Sequence, residues 1–174
     1  MNIEEYAQLY AVIRFIFGIS IFFGLFGFLI VFVSQFEIKY SKYKKVGIIL
    51  IFNAIFWGFL TIGAYTNLFN SIRNEMVTLV KDPNTKIYQQ DYTFGKLSSN
   101  ELKNEIKKIK NNNTSHSDYG ECMNLIISNK KIKTFYIMMC KDTRINNKYW
   151  IFTDKYSFIE FSTEIGEIYS GILK

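Results

Sequence analysis

The chain has 174 residues, which allows one or two folded units and excludes a large multidomain protein. Apolar residues make up 49% of it, and 21 Lys and Arg against 15 Asp and Glu give a formal net charge of +6. The apolar residues are unevenly placed: residues 15–36 form an uncharged run of 22, and residues 46–72 form an uncharged run of 27. Composition therefore predicts a boundary near Asn70.

Both runs are long enough to cross a bilayer as helices. At about 1.5 Å per residue they reach roughly 33 and 40 Å, against a hydrocarbon core of about 30 Å. We predict a membrane α-helical hairpin in residues 1–70, with spans at about 12–36 and 46–70 and a loop at 37–45. A cleaved signal peptide is disfavoured because Glu4 and Glu5 stand where a basic leader is needed.

The charges beside the two runs predict how the hairpin is oriented. The loop 37–45 holds four lysines and one acid, whereas the first ten residues hold two acids and no base. Positive charge beside a span is retained in the cytoplasm. We therefore expect a bacterial inner (plasma) membrane protein with a cytoplasmic loop, both termini extracytoplasmic, and residues 71–174 in the periplasm or outside the cell.

Small residues predict how the two spans pack. The pairs Ser20/Gly24 and Ala54/Gly58 each place two small residues on one helix face, a pattern that lets helix backbones approach closely. Asn53 is a strongly polar side chain inside the second span, and it needs a partner in lipid. That partner is either Ser20 or another helix of a homo-oligomer.

Residues 71–174 predict a small α+β domain. The second helix keeps its apolar period as far as Asp82-Pro83, and Ile87 to Phe94 alternates like a strand. Ser98 and Glu101 have the spacing of a capping box, which predicts a helix. Runs rich in aromatic and branched residues then predict an antiparallel β-meander with strands at 122–128, 134–140, 149–153 and 156–161.

The end of the chain predicts a C-terminal amphipathic helix. Ile165, Ile168, Tyr169 and Ile172 recur at helical intervals after Ser162 and Thr163, either of which could cap the helix.

The two cysteines, Cys122 and Cys140, lie in this domain. If the hairpin between them turns symmetrically about Lys131, they face each other, and facing strand residues are close enough for a disulfide. Such a bridge would stabilise the domain by about 3 kcal/mol. The alternative is two free thiols in a cytosolic domain.

The lysines of the domain give a candidate partner surface. They cluster on the predicted helix and at the predicted hairpin tip, and the set comprises Lys103, Lys107, Lys110, Lys130, Lys131 and Lys133. A basic surface could contact anionic lipid or an acidic protein, although such lysines usually form a solvated face. Nucleic acid is not expected as a partner.

No motif for catalysis, cofactor binding or metal binding is present. His116 is the only histidine and lies in a polar loop, and the pair Asp118/Glu121 is an ordinary loop feature. We therefore expect a non-enzymatic, membrane-anchored module that binds another protein, for example an immunity-type protein that neutralises a toxin outside the inner membrane. The alternative is a structural subunit of an envelope or secretion assembly, in which the spans bind other subunits.

Overall fold

A computed structural model describes residues 3–36, 42–111, 118–129, 132–153 and 163–173, apart from the side chains of residues 132, 133, 135 and 163. The chain divides into two compact units, Met1–Phe69 and Asn70–Lys174. The boundary predicted from the sequence, after Asn70, lies one residue later. The predicted strand at 156–161, the loop residue His116 and the two lysines of the hairpin tip, Lys130 and Lys131, lie outside the described residues.

The first unit consists of two long apolar helices. Helix α1 runs from Ile3 to Phe36, and helix α2 runs from Lys44 to Lys81, with its residues up to Phe69 in this unit. Both helices are long and apolar enough to cross a membrane. The residues of α1 that are buried are small: Ala7, Ser20, Gly24, Gly27 and Ser34.

The second unit contains a small antiparallel sheet, as predicted. After the last residues of α2 come strand β1 (Lys86–Gln89), helix α3 (Ser99–Ile106) and strands β2 (Tyr119–Asn129), β3 (Ile132–Asp142), β4 (Lys148–Thr153) and β5 (Thr163–Tyr169). The five strands pair in chain order, which is the order of a meander.

One face of the sheet forms the core of the second unit. It is built from apolar residues of strands β1 to β4, all of them at most 3% exposed: Ile87, Met123, Leu125, Ile127, Ile137, Met139 and Ile151. Leu102 and Ile106 of α3 are fully buried. The core therefore lies between this face of the sheet and helices of the same unit.

The predicted C-terminal helix is wrong, because residues 163–169 form strand β5. The pairing of β5 with β4 skips from Gly166 to Glu164, so that Ile165 is the extra residue of a β-bulge. Both residues of a bulge oppose one partner residue, which places Ile165 on the same face as Ile168. The three-residue spacing that suggested a helix is thus the spacing of a bulged strand.

Two contacts stabilise this bulge. Arg73 Nη1 donates to the carbonyl of Ile165 at 2.8 Å, and Arg73 itself is only 7% exposed. A Cβ atom on Gly166 would overlap the carbonyl oxygen of Lys110, so this position requires glycine.

The first predicted strand ends earlier than expected. Strand β1 stops at Gln89 rather than Phe94, because the Gln89 side chain organises a loop: its Nε2 donates to Gly95 O at 2.8 Å, and its Oε1 accepts from Leu97 N at 2.7 Å. The capping box is confirmed, with Ser98 and Glu101 exchanging hydrogen bonds at the start of α3. Helix α2 ends at Lys81, just before Asp82-Pro83, as predicted.

Candidate protein-binding surface

The disulfide between Cys122 and Cys140 is confirmed. The two residues face each other across β2 and β3, and facing pairs from Cys122 to Ile127 have residue numbers that sum to 262, as the symmetric hairpin required. Near the turn the register shifts, and Asn129 pairs with Ile132. The bridge lies against the buried side chains of Trp150 and Phe152.

Both edge strands of the sheet form hydrogen bonds with other segments of the chain. At the β1 edge, the main-chain N–H of Ile87 donates to Ser99 Oγ at 2.9 Å. At the β5 edge, Lys110 and Glu167 exchange two main-chain hydrogen bonds of 2.9 and 3.1 Å. Because these edge groups are already bonded, addition of a partner strand at these points would have to displace existing bonds.

The sheet face opposite the core is partly open, and we call its open part the tyrosine face. Its first row crosses three strands and consists of Tyr88, Ile126 and Tyr136. Its second row consists of Asn124, Met138 and Phe152. Tyr88 is 50% exposed and Tyr136 is 47% exposed. Two aromatic rings therefore stand in solvent on a rigid, paired backbone.

A cleft of about 270 Å³ opens on this face. Its apolar lining includes Tyr136, Met138 and Phe152, and its polar lining includes Gln90, Asn124 and Thr153. Small-molecule pockets usually measure about 300–1,000 Å³, so the cleft lies just below the size range of a cofactor site.

Asp91 fixes the margin of the cleft. Its Oδ2 accepts from the main-chain and side-chain nitrogens of Asn124 at 3.0 and 3.2 Å, and its Oδ1 accepts from Thr93. Burial alone would raise the pKa of the Asp91 carboxyl, but the hydrogen bonds from Asn124 and Thr93 outweigh burial and hold its pKa below the usual value. Asp91 is therefore a carboxylate whose acceptor sites are used to position Asn124.

The other end of the same face is closed by a buried ion cluster. Lys148 Nζ lies 3.0 Å from Glu167 Oε2, 3.7 Å from Asp142 Oδ2 and 3.7 Å from the ring centroid of Trp150. Asp142 Oδ1 also accepts from the main-chain nitrogens of Arg144 and Ile145. Because these side chains are at most 7% exposed, no substrate reaches them, and we assign the cluster a structural role.

This ion cluster was not predicted from the sequence. Asp142 ends β3, Lys148 begins β4 and Glu167 lies within β5. Their convergence depends on strand register rather than on a local motif.

The predicted lysine surface needs one correction. Lys103 is only 9% exposed and its Nζ donates to the carbonyl of Asp82 at 3.2 Å, so it belongs to the interior and not to a partner surface. It turns inward because it shares the buried side of α3 with Leu102 and Ile106. Lys107 and Lys110 are exposed, and the side chain of Lys133 lies outside the described residues.

The residues predicted for helix packing meet within the first unit. Asn53 Nδ2 donates to Ser20 Oγ at 3.3 Å, while the Asn53 side chain stays exposed. A Cβ on Gly24 would lie 2.7 Å from Ala54 Cβ, and one on Gly58 would lie 3.2 Å from the Phe17 ring. These contacts bring the two helices together along a seam of small residues.

The close approach of Gly27 and Gly47 on that seam was not predicted from the sequence. A Cβ on Gly27 would lie 2.6 Å from the carbonyl oxygen of Gly47, and one on Gly47 would lie equally close to Gly27 O. Ser20, Gly24 and Gly27 are separated by four and three residues, and residues at these spacings share a helix face. This spacing could have predicted that Gly27 faces the second helix.

Among the residues that the structure describes, no group of three or more His, Cys, Asp or Glu side chains is placed to hold a metal ion. Of the acidic pair considered above, Asp118 accepts from Thr143 through its main-chain carbonyl, and Glu121 is exposed on β2.

Comparison of the chain with protein-family models, with curated proteins and with solved structures gives no match.

Proposed function

We propose that this chain is a membrane-anchored protein-binding module of a bacterial inner membrane. In this proposal the hairpin of α1 and α2 spans the bilayer, and the α+β domain faces the extracytoplasmic side and binds another protein through the tyrosine face. The observation that carries the proposal is this open face with its exposed tyrosine rings. The two edges of the same sheet already form hydrogen bonds with other segments of the chain.

The side chains of the hairpin support a lipid environment. Large apolar residues point outward, with Phe15, Phe22 and Phe59 each 71% exposed, while glycine and serine fill the seam between the helices. This is the reverse of a water-soluble protein and fits helix packing in lipid.

The positions of two tyrosines support a spanning geometry. Tyr43 precedes α2 and Tyr65 lies 22 residues further on, which corresponds to about 33 Å of helix. Tyrosine is enriched at both membrane interfaces, and the hydrocarbon core between them is about 30 Å thick. Tyr10 contacts Tyr65 with ring centroids 5.8 Å apart, which adds a second ring at the same level.

Two independent features support the orientation. Lys42, Lys44 and Lys45 stand at the turn of the hairpin, where positive charge favours the cytoplasm. Cys122 and Cys140 form a disulfide in the other unit, and disulfides persist in oxidising compartments outside the cytoplasm.

The chemistry of the tyrosine face supports a protein as the partner. Tyrosine is enriched at binding hot spots because its ring buries a large apolar area and its hydroxyl still forms hydrogen bonds. Anchoring also confines the domain to a thin layer above the membrane, which raises its effective concentration there.

The concrete form that we propose is an immunity-type protein that neutralises an incoming toxin. A small domain held outside the inner membrane stands where such a toxin must pass, and its described residues offer an exposed aromatic surface for binding it. The test is survival: cells lacking the gene should be killed by a toxin-producing competitor, wild-type protein should restore growth, and Tyr136→Asp should not. Equal survival with and without the gene against all competitors would remove this form of the proposal.

The alternative is a structural subunit of a membrane assembly. One observation favours it: Asn53 remains exposed although one of its N–H groups is bonded to Ser20, and its other polar groups need partners in lipid. Asn53→Leu separates the two functions. It should abolish incorporation into an assembly, whereas a binder that uses its helices only as an anchor should keep its activity.

Site-specific photocrosslinking tests the binding surface itself. A benzophenone amino acid at position 136, in the full chain in native membranes, should give a discrete adduct that is absent when the same group replaces Tyr169. Tyr169 is a matched control because it is also 47% exposed but lies on β5 and does not line the cleft. Equal adducts at both positions, or none at position 136, would contradict the assignment of the tyrosine face.

A further inference from the structure

We infer that the cleft in the tyrosine face takes one aromatic side chain of the partner protein. This inference rests on the proposed function and adds the chemistry of the group that is recognised.

The size of the open face sets what can bind there. Three strands about 4.8 Å apart and two rows of side chains span roughly 200 Å². A standard interface buries about 800 Å² per partner, so this face is too small to hold a second copy of the chain as a stable dimer. A cleft of about 270 Å³ instead fits an anchor side chain on a short segment of a partner.

The lining of the cleft favours an aromatic anchor. Tyr136 and Phe152 present rings, and Met138 presents a thioether, which makes favourable contacts with aromatic rings. The side-chain amides of Gln90 and Asn124 also line the cleft and suit a phenol hydroxyl or an indole N–H.

A charged anchor is disfavoured by the same lining. Among the residues that the structure describes, none of those that line the cleft is charged. The Asp91 carboxylate, at the margin of the cleft, already accepts hydrogen bonds from Asn124 and Thr93 and is held in place by them. A lysine or arginine in the cleft would therefore lose its hydration without gaining an ion pair.

The methionines provide a direct test in the full chain. Met138 is half-buried at the cleft, whereas Met76, Met123 and Met139 are at most 3% exposed and serve as internal references. The protein is labelled with ¹³C at its methionine methyl groups, placed in lipid nanodiscs and titrated with N-acetyl-tryptophan amide or N-acetyl-phenylalanine amide. N-acetyl-leucine amide and N-acetyl-lysine amide are the matched probes without an aromatic ring.

The expected result is a saturable shift of the Met138 methyl signal with the aromatic probes, with a dissociation constant on the order of 1 mM. The three reference methyl signals should stay in place. No shift at Met138, or shifts of equal size with the leucine or lysine probe, would overturn the inference.

A variant pair ties the signal to the cleft. Tyr136→Ala should weaken binding of the tryptophan probe at least about tenfold, and Tyr169→Ala should leave it unchanged. Unchanged binding in Tyr136→Ala would also overturn the inference. If the Met138 signal does not shift but position 136 gives a specific photocrosslink, the aromatic anchor is rejected and the protein-binding function is kept. If the Met138 signal shifts but position 136 gives no photocrosslink, the protein-binding function is rejected.

Discussion

Lys148 Nζ lies 3.0 Å from Glu167 Oε2, and this ion pair joins β4 to β5 at the closed end of the sheet. Asp142, at the end of β3, lies on the other side of the same ammonium group. The cluster therefore ties β3, β4 and β5 together, while the tyrosine face at the other end of the sheet stays open.

Replacing Lys148 with methionine should destabilise the domain strongly. The substitution keeps most of the side-chain volume but leaves the carboxylates of Asp142 and Glu167 buried without their cation, a change that costs about 3–5 kcal/mol. We expect the melting temperature to fall by at least about 12 °C.

The measurement is thermal unfolding followed by the fluorescence of Trp150, in a Trp57→Phe background that removes the other tryptophan of the chain. Lys107→Met is the control, because that lysine is exposed and its loss should cost at most about 0.5 kcal/mol. Equal melting temperatures for the two variants would contradict a stabilising role of the ion cluster.

Enlarging Gly27 should separate the two helices of the hairpin. A Cβ there would meet the main chain of Gly47, which cannot rotate away, so Gly27→Leu must push the helices apart. Ser20→Cys and Asn53→Cys report the distance, because the native side chains are 3.3 Å apart. An oxidative cross-link between them should form and should be lost in Gly27→Leu.

Lys-C cleaves the loop between α1 and α2 and leaves the two helices on separate fragments. The fragments stay joined until reduction only if the cross-link has formed. Gly18→Leu and Gly63→Leu are matched controls, since an added Cβ meets nothing within 4 Å at either position. The packing seam would be misassigned if all three leucine variants cross-linked alike.

Tyr149 should make the domain sensitive to alkali. Its hydroxyl is buried and donates to Leu173 O at 2.6 Å, and burial raises the pKa of the Tyr149 phenol above its usual value of 10.0. A raised folded-state pKa means that the stabilisation is complete below pH 10 and is lost as the pH rises through the folded-state value.

Tyr149→Phe should cost about 1 kcal/mol at pH 7 and should flatten the decline in stability above pH 10. Urea unfolding between pH 7 and pH 11 measures both effects. Tyr169→Phe, which changes an exposed ring, should reproduce the wild-type curve, and an undiminished alkaline decline in Tyr149→Phe would refute the assignment.

The sequence was most informative where structure is local or repeated. The capping box at Ser98 and the stop at Asp82-Pro83 depend on a few neighbouring residues, and both helix ends were found. The pairing of Cys122 with Cys140 followed from a hairpin assumed to be symmetric about Lys131, and that symmetry describes the register of β2 and β3 from Cys122 to Ile127.

The incorrect predictions concern positions whose structure is decided by contacts with residues that are distant in the sequence. The spacing of Ile165 and Ile168 imitated a helix because the bulge at Gly166 depends on Lys110 and Arg73, which are distant in the sequence. Lys103 was assigned to the surface, although its ammonium group donates a hydrogen bond to the carbonyl of Asp82 inside the domain. The tyrosine face was not predicted either, since alternation along a strand does not say which face another layer covers.

The side of the membrane on which the α+β domain lies is the central claim, and cysteine labelling in intact cells tests it most directly. Cells are treated with a membrane-impermeant maleimide before and after an impermeant reductant, and a Tyr43→Cys variant without Cys122 and Cys140 marks the cytoplasmic side. We predict labelling of Cys122, the more accessible of the pair, only after reduction, and no labelling of position 43 until lysis. Wild-type protein that stays unlabelled until lysis, with free thiols in denaturant, would place the domain in the cytoplasm and contradict the account.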